Sequence, residues 1–360
     1  MGSCILIMAG GTGGHVFPAL AVAKQLREQG FNIVWLGTKA GLEAKLVPQF
    51  GFDIEWITVS GLRGKGLMSW LAAPVKVLKA LFQSMCVIKK HKPVVVLGMG
   101  GFVSGPGGLA SWMLGRPLVI HEQNAIAGFT NRCLAPFSKK VLQAFPGAFA
   151  EAKKITVVGN PVREEIFNRA SRPEPDSSKK LKVLVVGGSL GAQIFNNIVP
   201  ESMASMSKQN QPEVWHQAGT RNIENAIENY KKYDVDAKVE AFIDDMATAY
   251  HWADIVLCRS GALTVSELAA TGTPSILVPY PHAVDDHQTY NAKFLSDVGA
   301  AILVPQPAFT VNYLAELFTG LADSSEREKK LQTMALAATK VARPDATDDV
   351  VTACVEVLHV

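Results

Sequence analysis

The 360-residue chain is long for one hydrophobic core, so two domains are expected; with 48% hydrophobic and 19% charged residues it is too apolar for a disordered protein. Its net charge of +3 gives no electrostatic ground for nucleic-acid binding. Five scattered cysteines (Cys4, Cys86, Cys133, Cys258 and Cys354) without CxxC spacing fit reduced thiols in a cytosolic protein and no zinc site.

The first apolar run, Ile5–Ala9, reads as a strand and stops at the glycines of "GGTGGHV", after which a helical pattern begins. No basic region precedes the run, so no signal peptide is expected. Leu6 stands where an N-myristoylation signal needs Ser or Thr. Asn32–Leu36 reads as the next strand. Gly66–Lys92 has the pattern of a basic, apolar helix. Lys76, Lys79 and Gln83 form one stripe, and Trp70, Leu71, Val75, Leu78 and Phe82 make the rest apolar. Such a helix suits either an anionic membrane surface or a core position with a lysine edge. Pro93–Gly115 carries no charge and could pass for a membrane span. Its seven glycines and Pro106 instead predict a buried strand (Val94–Gly98), a glycine-rich loop and a short helix. Leu118–His121 and Ile155–Val158 follow as strands.

The polar, proline-bearing stretch Asn160–Lys180 marks a break, and a second series starts after it. Strand Lys182–Val186 runs into the turn "GGSLGA". Strands Glu213–Gln217, Lys238–Ala241, Ile255–Cys258, Ser275–Val278 and Ala301–Val304 come later, with helical patterns between most of them. Continuous apolar strands alternating with helices predict parallel sheets covered on both faces. The last helix, about Ala346 to Val360, has no strand after it and could close either domain.

Each series therefore opens with a strand, a glycine-rich turn and a helix. A helix N-terminus offers unpaired N–H groups and a positive dipole end, so both turns suit a nucleotide or another phosphorylated ligand. The alternative is that glycine serves only tight strand-to-helix packing. The dinucleotide fingerprint fails: Val16 stands at the third glycine, and no acid ends the second strand. A P-loop fails because "GLRGKG" has no Ser or Thr after its lysine. "GGSLG" fits a hydrolase nucleophile elbow, with Asp254 or Asp285 and His282 or His287 following in order. That serine, however, follows the first strand of its domain, where an elbow sits mid-sheet, and the reading leaves His15 unexplained. In "CRSGALTVSELAATGTPSILVP", Ser260, Gly261 and Ala262 make a small-residue helix start suited to an anion, and Glu267 lies about two turns in. "PHAVDDHQTYNAKFL" and "HEQNAIAGFTNR" gather polar groups after strands, where ligands bind in such sheets. The acid pairs Asp244–Asp245 and Asp285–Asp286 lack a third ligand, so no metal is expected.

Taken together, "AGGTGGHVFPALAVA", "SGLRGKG", "GMGGFVSGPGG", "HEQNAIAGFTNR", "VVGNPVR", "GGSLGA", "FIDDM" and "CRSGALTVSELAATGTPSILVPYPHAVDDHQTYNA" resemble the undecaprenyldiphospho-muramoylpentapeptide β-N-acetylglucosaminyltransferase family. The resemblance runs in order along nearly the whole chain. It implies an α/β GT-B fold: two Rossmann-like doubly wound parallel-sheet domains facing a cleft. Residues 1–160 with about 341–360 would form the acceptor and membrane-facing domain, and 161–340 the donor domain. It implies an inverting transfer of N-acetylglucosamine from UDP-GlcNAc to the 4-hydroxyl of undecaprenyl-diphosphate-linked muramyl-pentapeptide (lipid I), giving lipid II. No cofactor or metal is implied. The expected place is the cytoplasmic face of the cell membrane, as a peripheral protein on an anionic surface, with room for contacts to other cell-wall synthesis proteins.

The resemblance also assigns residues. His15 is the base candidate, the alternative being a hydrogen bond to substrate only. Ser189 and its turn meet the diphosphate, Ile243 meets uracil through its backbone with Arg163 near it, and Glu267 holds the ribose. Ala262, Leu263, Thr264, Val265 and Ser266 line the diphosphate and sugar, and Gln288 and Asn291 read sugar hydroxyls. Thr12, Gly13, Gly14 and Asn124 serve the sugar and the acceptor diphosphate. Leu190 stands where Gln is expected in many relatives. Trp112 joins Trp70, Leu71, Val75, Lys76, Leu78, Lys79 and Phe82 in the membrane patch.

Overall fold

The computed structural model describes residues 2–59, 73–167, 180–188, 191–322 and 324–358. It divides into two compact units: Met1–Arg163 with Arg343–Val360, and Glu164–Ala342.

Among the described residues unit one holds seven strands: β1 (Cys4–Met8), β2 (Asn32–Gly37), β3 (Asp53–Trp56), β4 (Val95–Gly98), β5 (Leu118–Glu122), β6 (Lys140–Gln143) and β7 (Ile155–Val157). All pair in parallel, in the order β3-β2-β1-β4-β5-β6-β7. Strand β1 shows why an unbroken apolar run is needed. Ile5 and Ile7 pack on one face with Val16, Ala19 and Ala23 of helix α1 (Gly13–Glu28). Leu6 and Met8 pack on the other with Ala80 and Ile88 of α3 (Ala73–His91) and Ala110 of α4 (Ser104–Met113). Successive side chains point to opposite faces, and both faces are covered. Helix α2 (Glu43–Gln49) follows β2, and α5 (Phe129–Leu134) follows β5.

The charge-free stretch after β4 is a helix laid tightly on the sheet. A Cβ at Gly107 would lie 2.3 Å from the sulfur of Met8 and 2.9 Å from Leu36 Cδ2, so a larger residue there would have to displace both side chains. Among the described residues no helix is long and apolar enough to cross a membrane.

Unit two holds β8 (Lys182–Val186), β9 (Glu213–Gln217), β10 (Lys238–Glu240), β11 (Ile255–Cys258), β12 (Ser275–Leu277) and β13 (Ala301–Leu303), all parallel, in the order β10-β9-β8-β11-β12-β13. Its helices are α6 (Glu164–Phe167), α7 (Gln193–Ala204), α8 (Ile223–Lys232), α9 (Met246–Trp252), α10 (Ala262–Thr271), α11 (His287–Ser296), α12 (Val311–Gly320) and α13 (Ser324–Val341). Phe195, Val199 and Met203 of α7 and Leu314 and Phe318 of α12 share one core with Val183 and Val185 of β8.

Two strands, β3 and β6, are absent from the sequence reading. Each is four residues long, and β3 (DIEW) carries two acids, so neither makes a continuous apolar run. The final helix, α14 (Ala346–Glu356), belongs to unit one. Val350, Val351, Ala353 and Cys354 join the core that contains Val16 and Ala19. Asp348 and Glu356 on its polar face meet Gln25 and Lys140.

Candidate functional site

In both sheets the strand order reverses next to the opening strand. The switch points lie between β1 and β4 and between β8 and β11, and ligands bind such sheets at the carboxyl ends there. Each switch point carries two of the quoted motifs.

At the first, the turn after β1 runs through Gly11 (φ 93°) into α1. No acid occupies the first turn of α1, and its first intrahelical bonds run from His15 and Val16 N–H to the Thr12 carbonyl. The amides of Gly13 and Gly14 thus precede the helical ladder, as anion recognition requires. His15 is half-buried, and its Nδ1 lies 3.0 Å from Gln123 Oε1. The turn after β4 closes over this pair. A Cβ on Gly100 (φ 94°) would lie 2.5 Å from His15 Nδ1 and 3.1 Å from Gln123 Oε1. Gly100 of "GMGG" is therefore a packing requirement of the His15 side chain, and Gly101 one of the Gly10 backbone, whose carbonyl oxygen would lie 2.3 Å from its Cβ.

Two buried carboxylates shape the loops. Glu43 accepts from Gly11 N–H (2.9 Å), Thr38 N–H (2.9 Å) and the Thr38 hydroxyl (2.8 Å). Glu122 accepts from Asn124 N–H (3.0 Å), Asn124 Nδ2 (3.2 Å), Gly128 N–H (3.0 Å) and Asn131 Nδ2 (2.8 Å). It folds "HEQNAIAGFTNR" around itself and fixes Asn124. Neither acid was singled out from sequence, although Glu122 lies in a quoted motif. Arg163, which ends the first segment of unit one, sets its guanidinium 5.2 Å from the Phe17 ring centroid.

At the second switch point Gly188 and Gly191 take left-handed φ values of 83° and 76°. Ser189 and Leu190 lie outside the described residues. Buried Gln217, at the end of β9, ties two expected donor contacts together. Its Nε2 donates to the Gly188 carbonyl (3.0 Å), and its Oε1 accepts from Ile243 N–H (3.1 Å). Helix α10 starts after extended Gly261, and Val265 N–H makes its first bond, to the Gly261 carbonyl. The amides of Ala262, Leu263 and Thr264 precede the ladder. The Val265 side chain is fully buried, and the Ser266 hydroxyl donates back to the Ala262 carbonyl (3.0 Å), so backbone is the chief resource of this segment.

Glu267 is buried, not on a solvated helix face, and accepts from the Tyr250 hydroxyl at 2.9 Å. Burial, and secondarily the charge of Glu267, pushes the Cys258 thiol up, so it stays protonated. Fully buried Asn291 donates to the Ser260 carbonyl (3.2 Å) and braces the turn before α10. Gln288 Oε1 accepts from Tyr280 N–H (2.9 Å). Arg259 holds the Val278 and Pro279 carbonyls (both 3.1 Å), joining the loops after β11 and β12.

The hydrolase reading loses a partner. Asp254 accepts from Lys182 N–H (2.8 Å) at the amino ends of β8 and β11, the opposite edge from "GGSLG". One acid of each pair has a local structural role. Asp245 caps α9 by accepting from Thr248 N–H (2.9 Å), and Asp286 accepts from the Thr289 hydroxyl (2.7 Å). Among the described residues no group of three or more His, Cys, Asp or Glu side chains could hold a metal ion.

On α3, Val75 (69%), Leu78 (64%) and Phe82 (68%) are exposed alongside Lys76 and Lys79, so this face of the helix is not core. Gln83 Oε1 accepts from Thr58 N–H (2.8 Å). Trp112 is half exposed and packs against Phe137, with ring centroids 4.6 Å apart and planes tilted by 46°. Trp70 and Leu71 lie outside the described residues.

Comparison with known proteins gives a consistent result. The model of the glycosyltransferase family 28 N-terminal domain matches residues 5–143, and that of the C-terminal domain matches residues 182–350. The chain is 54% identical to the UDP-N-acetylglucosamine–N-acetylmuramyl-(pentapeptide) pyrophosphoryl-undecaprenol N-acetylglucosamine transferase of Shewanella baltica (strain OS185), over 98% of this chain and 97% of that protein. It is 53% identical, with the same coverage, to the protein of that name from Shewanella oneidensis. The crystal structure of MurG from Acinetobacter baumannii matches with a TM-score of 0.82 and 41% identity, over 98% of this chain and 99% of that one. The calicheamicin glycosyltransferase CalG4 matches with a TM-score of 0.68 at 16% identity, over 99% of this chain and 100% of that one, and shows the fold alone.

Proposed function

The chain belongs to the UDP-N-acetylglucosamine–N-acetylmuramyl-(pentapeptide) pyrophosphoryl-undecaprenol N-acetylglucosamine transferases, within glycosyltransferase family 28, and on that premise we propose how its residues carry the reaction. It is a GT-B N-acetylglucosaminyltransferase that moves GlcNAc from UDP-GlcNAc to lipid I, forming lipid II in peptidoglycan synthesis. His15 takes the proton of the muramyl 4-hydroxyl. That oxygen forms a bond to the anomeric carbon as the bond to the UDP oxygen breaks, and the electron pair leaves with UDP. One in-line displacement turns the α-linked donor into a β-linked product.

Unit two binds the donor. The amides at the start of α10 and the turn Gly187–Gly191, Ser189 included, receive the diphosphate and the charge that grows on it. Glu267 accepts from the ribose hydroxyls. Ile243 reads uracil through its backbone, with Arg163 as a further donor contact. Gln288 and Asn291 serve the sugar. Thr12, Gly13, Gly14 and Asn124 of unit one serve the acceptor. Helix N-termini supply the positive potential for the leaving diphosphate, so transfer should survive chelation; activity lost to chelator and restored by a divalent ion would overturn this.

The observation that carries the mechanism is the occupancy of the two switch points: an imidazole held by hydrogen bond at one, and acid-free helix starts at both. Radiolabel transfer from UDP-GlcNAc to a short-chain lipid I analogue tests it. His15→Ala should lower transfer by about 10²–10⁴-fold, and wild-type rates in that variant would remove His15 as base.

The protein sits peripherally on the cytoplasmic membrane face. Exposed Val75, Leu78, Phe82 and Trp112 enter the interface while Lys76 and Lys79 meet anionic headgroups. Phe82→Glu should cut sedimentation with anionic vesicles and leave UDP-GlcNAc affinity unchanged; equal sedimentation would refute the patch.

A further inference from the structure

The end of β5 and the residue after it hold two buried side chains that the mechanism above does not use, His121 and Gln123. Their hydrogen bonds form a chain whose polarity can be read from one end. His121 Nε2 lies 2.9 Å from the Gly159 carbonyl. A carbonyl only accepts, so Nε2 carries the proton. Full burial pushes the His121 pKa down to about 4, so the ring is neutral and Nδ1 carries a lone pair. Gln123 Nε2 lies 3.1 Å from that Nδ1 and 2.8 Å from the Met99 carbonyl. Both are acceptors, which assigns the amide's NH₂ end to this side. The opposite end, Oε1, is then an acceptor and faces His15 Nδ1 at 3.0 Å. His15 Nδ1 must donate.

We propose that Gln123, oriented by His121, is a positioning residue that fixes His15 as the Nδ1–H tautomer and leaves Nε2 as the atom that takes the acceptor proton. The inference rests on the reading of His15 as the base. A neutral imidazole presents one lone pair, and the hydrogen bond at one nitrogen decides which atom carries it. When Nε2 takes its proton, the Nδ1–H to Oε1 bond persists and the amide dipole favours the new charge. An acidic partner is not needed for this, and Gly100 keeps the pair closely packed. Asn160 Nδ2 donates to the Gln123 carbonyl (3.1 Å) and anchors the backbone from a second direction. Glu122 and His15 are the charged or titratable groups that act on His121, and Glu122 is occupied by four donors from the following loop and from Asn131 of α5.

The test is the tautomer itself. Long-range proton–nitrogen correlation spectra of the full chain with ¹⁵N-labelled histidine, assigned with His15→Ala, should show His15 protonated at Nδ1 and unprotonated at Nε2. Gln123→Leu should move the proton to Nε2 or mix the two forms. It should lower kcat roughly tenfold or more, leave the UDP-GlcNAc KM unchanged, and shift the acid limb of the pH–rate profile downward. In a His15→Ala background the same substitution should cost nothing further. A wild-type ring protonated at Nε2 overturns the proposal, and that spectrum needs no folded variant. An unchanged tautomer in Gln123→Leu overturns it as well. Full activity in His15→Ala would instead remove the base role alone, because the spectra read the relay independently of turnover.

Discussion

Glu43→Gln isolates the device that holds the first glycine turn. The Glu43 carboxylate is fully buried and receives three donors, from Gly11 and from the backbone and hydroxyl of Thr38. Its neighbours leave room for nothing else: a Cβ on Gly10 would lie 2.6 Å from Oε1, and one on Gly41 2.0 Å from Oε2. Glutamine keeps the shape but has one acceptor oxygen. If that oxygen keeps the Thr38 pair, the NH₂ group faces Gly11 N–H, donor against donor. Losing one charge-assisted bond and weakening two others costs about 2–4 kcal/mol. Glu43→Ala abandons all three donors and should cost about 3–5 kcal/mol. Hydrogen exchange at the Gly11 and Thr38 amides reads the local loss, and urea unfolding of unit one reads the total. His15 lies four residues beyond Gly11, so kcat should fall while the UDP-GlcNAc KM stays put. Unchanged exchange and unchanged kcat in Glu43→Gln would refute the view that this carboxylate holds the turn.

Gly100→Ala should cost about 1–3 kcal/mol for its left-handed backbone alone, and its Cβ must displace His15 or Gln123. Transfer should collapse while UDP-GlcNAc binding, by calorimetry, stays normal; wild-type transfer would contradict the packing argument. Tyr250→Phe removes the hydroxyl that steadies Glu267 and should weaken UDP-GlcNAc binding by about 1 kcal/mol, roughly fivefold. Equal affinity would show that Glu267 needs no such support. Burial holds the folded-state pKa of His121 at about 4 and of His216 at about 3, against 6.5 for an exposed ring. Below pH 6.5 the unfolded chain takes protons that the native state refuses, so stability falls with pH. The loss runs down to pH 4 for His121, on the order of 3 kcal/mol, and to pH 3 for His216. Urea midpoints that stay flat between pH 6.5 and 4 would refute this.

Much of the site was legible because its signals are local. His15, Gly11 and the start of α10 announce themselves as glycines and small residues between an apolar run and a helical pattern. The supporting residues carry no such signal. Gln123 reaches His15 across 108 positions, Glu43 reaches Gly11 across 32, and Gln217 reaches Ile243 across 26. A polar side chain buried against a distant backbone amide has no periodicity to betray it. Val75, Leu78 and Phe82 illustrate the same limit, since their spacing suits a core helix and a membrane-facing one equally, and only their exposure separates the two.

The sequence by itself determined the two βα series, the glycine turns and the strand ends that carry chemistry, because backbone conformation and hydrophobic periodicity act over neighbouring residues. Periodicity alone could not say which unit the last helix would close, although the family resemblance implied the first. Only tertiary packing decided that, by burying Val350, Val351 and Cys354 against α1. It likewise decided that β3 and β6 pair at all, since a four-residue strand is stabilised by the neighbour it finds and not by its own sequence.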